Sequence, residues 1–230
     1  MGLRGRSGGR AVWCSSIAAL LAGCHSGQPA DAPVAQSKPA SKQASSGGAD
    51  GSFKDDAMEH MAFLVSNWAL LGSGSKDAEP ATGWHRHAAS GTCMPTGSRS
   101  WQSGKAQTYG PDDESVTLMH EPLQILVTLY TYPATKPLQP EFEGVVSTMA
   151  SKTCTEGPVM SSKIGEAHVG ACPHRIDNGV VLLEQVVLLQ RGKWFHKARI
   201  TFAGPATAAA YTPAMSVVSQ AFAACPAGAT

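Results

Sequence analysis

Most of the side chains here that could do chemistry are histidines. His85 and His87 stand two apart, so on a strand they share a face, and His120 or His174 would complete a set of metal ligands. No His-Glu-x-x-His pattern accompanies them, nor a carboxylate at a diagnostic spacing. The plain alternative is two surface histidines on a polar loop. His120-Glu121, beside Pro122, has the composition of an acid–base pair, and a surface loop explains it equally well. His196 falls on the inward side of an alternating strand and reads as a satisfied, half-buried residue. Lys197 and Arg199 share the opposite, polar side, where they would receive an anionic partner or simply face solvent. His85, His87, His120, Lys197 and Arg199 are therefore the expected contacts to a ligand or partner.

Motif searches add no catalytic residue. Ser73-Gly-Ser-Lys76 has the Ser-x-x-Lys spacing of penicillin-binding enzymes, which set it at a helix start and add two further motifs. Here Gly72 and Gly74 flank the serine and neither further motif occurs, so the match is set aside. Gly-x-Ser-x-Gly, a P-loop and Gly-x-Gly-x-x-Gly are not found in the sequence. No catalytic residue, metal site or cofactor is assigned. The acidic run Asp112-Asp113-Glu114 reads as a solvated turn.

At the N-terminus, Arg4, Arg6 and Arg10 precede a short apolar run, Ala11 to Ala22, that ends in Leu21-Ala22-Gly23-Cys24. A basic start, a short apolar segment and small residues before a cut make an export signal, and the run is too short to span a bilayer. The stretch resembles the lipobox of bacterial lipoproteins. That resemblance implies cleavage after Gly23, a diacylglyceryl group on the Cys24 thiol and acylation of the new N-terminus. By the family's sorting rule, His25 in place of aspartate directs the protein to the outer membrane, facing the periplasm. The plain alternative is an ordinary secretory signal with Cys24 incidental. Loss of residues 1–23 removes three of the 18 basic residues and none of the 17 acidic ones, leaving a net charge near −2. No positive field for nucleic acid results.

Cys14 would leave with the leader, and Cys93, Cys154, Cys172 and Cys225 remain for the folded part. An exported protein keeps disulfides, and four cysteines make two. Three pairings are possible. The shortest loop joins Cys154 to Cys172 and leaves Cys93 with Cys225; loop length favours this nested pairing and leaves the others open.

Residues 24–52 hold the lipidated cysteine and a Pro-, Ala-, Ser- and Gly-rich tether without an aromatic side chain. The globular domain spans 53–230. Phe53 to Leu71 carries an apolar stripe at helical spacing, with Gly72 as its stop. Residues 73–115 are poorly patterned, with extended pieces at 83–89 and 105–109, and are the expected place for a functional loop. Val116–Met119 and Leu123–Tyr132 read as strands separated by Pro122. A helix follows near Pro140, with Phe142, Val145, Val146 and Met149 buried. Val180–Gln190 and Trp194–Ala203, joined by Arg191-Gly192-Lys193, form the clearest hairpin. Apolar residues on both faces of its first strand make that strand central. Thr212-Pro213 opens a final helix as cap and first residue.

The resulting class is α+β: one domain, an antiparallel or mixed sheet packed with about three helices and two disulfides. The order of elements, with Tyr130 to Ala134 ending a strand before a Glu-Phe helix start, is similar to the Mog1/PsbP-like α/β sandwich. The expected function is that of a non-catalytic envelope lipoprotein. It is held to the membrane through Cys24 and binds another envelope or secreted protein, as an assembly subunit or a toxin-immunity factor. The alternatives are a periplasmic enzyme or a metal- or small-ligand-binding domain using residues 73–115, and a structural protein contacting the cell wall.

Overall fold

The computed structural model describes residues 79–149, 154–162, 165–175, 181–203 and 208–228. The expected leader, Cys24, the tether, the Phe53–Leu71 helix and the Ser73–Lys76 stretch lie outside the described residues.

Gly83–Arg86 (β1) and Cys93–Gly97 (β2) pair as a small sheet of their own. The main sheet contains Gln102–Ser103 (β3), Gln107–Gly110 (β4), Asp113–His120 (β5), Ile125–Pro133 (β6), Thr155–Glu156 (β7), Met160–Ser162 (β8), Gly165–Arg175 (β9), Val181–Arg191 (β10) and Trp194–Phe202 (β11). Helix α1, Leu138–Ser147, follows β6, and α2, Ala208–Phe222, follows β11. The strand order is β3-β5-β6-β11-β10-β9-β7, with β4 added on β5 and β8 on β9. Every pairing among the described strands is antiparallel. The class is α+β, as the pattern of elements requires.

The expected hairpin is β10–β11, closing through Gly192-Lys193 with Arg191 opposite Trp194. Gly192 has φ +58°, which a tight two-residue connection demands at its first position and glycine supplies without steric cost. β10 lies between β11 and β9, so both its edges are paired, and Val186, Val187, Leu188 and Leu189 are all buried, two on each face. Between β5 and β6 the chain turns through a 3-10 segment, Glu121–Leu123, containing Pro122. That segment fits a residue with fixed φ and no N–H to donate.

Alternation sorts the side chains into two cores. On one face Val116, Leu118, Val127, Leu129, Ala198 and Ile200 meet Tyr211, Ala214, Val218 and Phe222 of α2. On the other, Phe142 and Leu138 of α1 meet Val186, Leu188, Phe195 and Cys172. The expected stripe of α1 is present: Phe142 and Met149 are buried, and Val145 and Val146 pack beside them.

The last helix differs from expectation. It runs from Ala208, so Pro213 lies inside it rather than at its start. Successive alanines around 208–210 have the highest helix propensity and extend the helix upstream of the proline. The carbonyl that Pro213 leaves without its usual helical partner belongs to Ala209, an exposed residue that water can reach. Cys93 pairs with Cys225 and Cys154 with Cys172, at Cα separations of 5.1 and 4.1 Å. This is the nested arrangement. Among the described residues no helix is long and apolar enough to cross a membrane.

Candidate functional site

His85 sits on β1 with its Nε2 2.6 Å from Glu114 Oε2 on β5, a hydrogen-bonding contact that ties the small sheet to the main one. Glu114 is thus engaged, where a solvated turn was expected. His87, just beyond β1, is buried rather than on the surface. Its Nδ1 accepts the Ser90 N–H at 3.2 Å and lies 2.7 Å from the Ser90 hydroxyl, and its ring meets Trp194 edge-on at 5.0 Å. The short His87-Ala-Ala-Ser90 turn explains this, because a ring acceptor can close on an N–H three residues ahead.

His120 is also buried, and only Glu121 beside it is exposed, so the expected surface pair is split. The His120 Nδ1 accepts the Leu123 N–H at 3.3 Å and caps the 3-10 turn, while the ring lies edge-on to Trp101 at 5.1 Å. The backbone of His174 pairs with Leu182, and its side chain lies outside those described. The candidate ligands therefore sit in separate surroundings. Among the described residues no three His, Cys, Asp or Glu side chains gather as a metal would need.

Lys197 and Arg199 do share one side of β11, but that side is not a solvated strip. Arg199 donates from Nε to Glu184 Oε1 at 3.1 Å and again from its NH2 group. The Lys197 ammonium sits 4.1 Å from the centre of the Tyr130 ring and 5.4 Å from that of Tyr132, within cation–π range. Burial pushes its pKa below the ordinary lysine value. Tyr109, 53% exposed, stacks on Tyr130 at 6.5 Å.

A concave site lies elsewhere, between β2, the chain entering β1, and α2. It is a cleft of about 150 Å³ with Trp101, Leu118 and Val217 buried in its floor and Glu79, Thr212 and Gln220 at its rim. Gln220 fixes the mouth: its Oε1 accepts the Ala81 N–H at 3.1 Å, and its Nε2 donates to the Glu79 carbonyl at 3.0 Å. The Glu79 carboxylate accepts the Ser100 N–H at 3.0 Å and the Ser100 hydroxyl. These bonds hold its pKa below the ordinary value. Neither Glu79 nor Trp101 was singled out by sequence reasoning. The available signal was Trp101 itself, a lone large aromatic in the Ser- and Gly-rich run SRSWQSG, which can only be accommodated by plugging into the body.

Fold and cleft together define a disulfide-bonded α+β domain with helices on both faces of its sheet and a small cleft at one of them. No protein-family model matches the chain, and no curated protein is significantly similar to it.

Proposed function

We propose that this chain is a lipid-anchored envelope protein whose domain binds another protein without catalysis, as an assembly subunit or a toxin-immunity factor. Cys24 after Leu-Ala-Gly would carry the lipid, and the outer membrane, periplasmic side, is its proposed address. The two disulfides support export into an oxidising space. The layering of α2, sheet and α1 supports placing the domain with the Mog1/PsbP-like sandwiches.

The observation that carries the binding role is the cleft. Its floor is apolar and its charged rim is held by hydrogen bonds, so it is shaped before a partner arrives and little ordering remains to oppose binding. Half of its lining comes from residues 73–115, the stretch expected to carry function, and most of the rest from α2.

Two measurements test the reading in the native host. An alkyne-bearing palmitate should label the wild type and fail to label Cys24→Ala, and a photo-crosslinker at Thr212 should trap a defined protein. Retention of residues 1–23 on an unlabelled chain would overturn the anchor. Hydrolysis of peptidoglycan, peptides or phospholipids, lost on substituting His85, His87 or His120, would overturn the non-catalytic role.

A further inference from the structure

We infer that the cleft beneath Gln220 receives one lysine or arginine side chain of the partner protein. The inference rests on the binding role proposed above and adds the partner's chemistry. Volume sets the first limit. About 150 Å³ is the size that holds a single benzene-sized group, so the cleft admits one side chain and not a peptide segment. Polarity sets the second. Trp101, Leu118 and Val217 line the floor with apolar surface, while the carboxylate of Glu79 stands at the rim. A side chain that matches both is an aliphatic stem ending in a cation, with the stem buried and the head at the mouth.

The rim is fixed rather than mobile. Ser100 holds the Glu79 carboxylate, and Gln220 holds the backbone that carries it, so the charge is already in position. A charge-assisted hydrogen bond from an ammonium or guanidinium to a carboxylate is stronger than a neutral one. The Ser98 hydroxyl also lines the cleft; it is buried, helps Ser100 keep the Glu79 carboxylate ionised, and keeps lone pairs that can accept a further N–H. Other occupants fit less well. An acidic side chain would place like charge against Glu79, and a purely apolar one would leave that carboxylate without a cation.

The full chain, extracted in detergent and labelled with ¹⁵N-tryptophan, tests this through the indole N–H signal of Trp101. The probes are the N-acetyl methylamides of lysine, norleucine and glutamate. Lysine should bind about tenfold more tightly than norleucine, the difference expected for one charge-assisted contact, and glutamate should not bind. Glu79→Gln should bring lysine down to norleucine, and Glu79→Lys should favour glutamate instead; both changes are at the rim and leave the core intact.

Equal binding of lysine and norleucine to the wild type, or lysine binding untouched by Glu79→Gln, would overturn the inference. So would silence to all three probes. A partner trapped at Thr212 whose affinity is unchanged by Glu79→Gln would overturn it while leaving the protein-binding role standing. If the lysine probe behaves as expected and no protein is trapped, the cleft serves a free amine; the binding role then fails and the partner assignment fails with it.

Discussion

Several polar side chains of β10 and β11 are buried where alternation points them inward, and the fold holds them by different means. Glu184 faces Arg199 on the neighbouring strand, and Gln185 donates to the hydroxyl of Tyr211 on α2. The His196 ring meets the Thr131 hydroxyl at 3.3 Å, and it remains uncharged at neutral pH. Burial, reinforced by the nearby positive charge of Arg191 and by His87, pushes its pKa down to about 4 from 6.5. In the unfolded chain the ring takes up its proton near 6.5. Between those values the unfolded state binds more protons than the folded one, so stability is full above pH 6.5 and falls as the pH drops toward 4. The loss from this one group reaches about 3 kcal/mol. Asp113, whose pKa burial raises, works in the opposite direction and offsets part of it. Thermal melts at pH 7, 5.5 and 4.5 should show the decline, and His196→Asn should flatten it. An unchanged acid slope in that variant would place its origin elsewhere.

At the level of elements, β9 shows why part of the fold was not legible in the sequence. Its inward residues are Ala167, Val169 and Ala171 on one side and His168, Gly170 and Cys172 on the other, with none of the large aliphatic alternation that marks a strand. At Gly170 the smallness is required by α1. A Cβ placed on Gly170 would stand 3.0 Å from Phe142 Cζ and 3.4 Å from Val186 Cγ1, so the helix seats its phenyl ring directly on the strand backbone. Gly170→Val should cost about 1–3 kcal/mol by overpacking. Trimming the ring with Phe142→Leu in the same chain should recover part of that loss. If denaturant titrations show the two changes adding independently, the ring is not what limits residue 170.

By contrast β10, β11 and the stripe of α1 were readable, because their packing partners are large and leave a periodic record in Val186 to Leu189, Phe195 and Phe142. The start of α2 was misread because Pro213 carries a stronger local signal than the alanines that precede it. The candidate site was legible in its region alone. Burial of His87 and His120, and the turn that carries Trp101 into the body, depend on β1 and β2 folding back over the sheet. No spacing in the sequence encodes that contact.

For the molecule as a whole, the two disulfides fasten different layers, and their loss should be felt in different places. Cys154–Cys172 spans 18 residues and ties the chain after α1 to β9. Cys93–Cys225 spans 132 residues and joins β2 to the chain beyond α2, the two elements that frame the cleft. Loop-closure entropy alone assigns about 3 kcal/mol to the shorter bridge and about 5 kcal/mol to the longer. Replacing the first pair by serine should therefore lower the melting temperature while leaving the Trp101 environment as it was, since α1 lies on the other face. Replacing the second should lower it further. It should also loosen β1 and β2, which are otherwise tied to the main sheet by the His85–Glu114 pair and the packing of His87 on Trp194. The indole N–H signal of Trp101, followed through a melt of each variant, separates these outcomes. If the longer bridge can be removed with no change at Trp101, then α2 and β2 hold the cleft without it. The same chain retained in a reducing cytosol should resemble a variant with all four of these cysteines replaced, because a protein with these bridges reaches full stability only where thiols are oxidised.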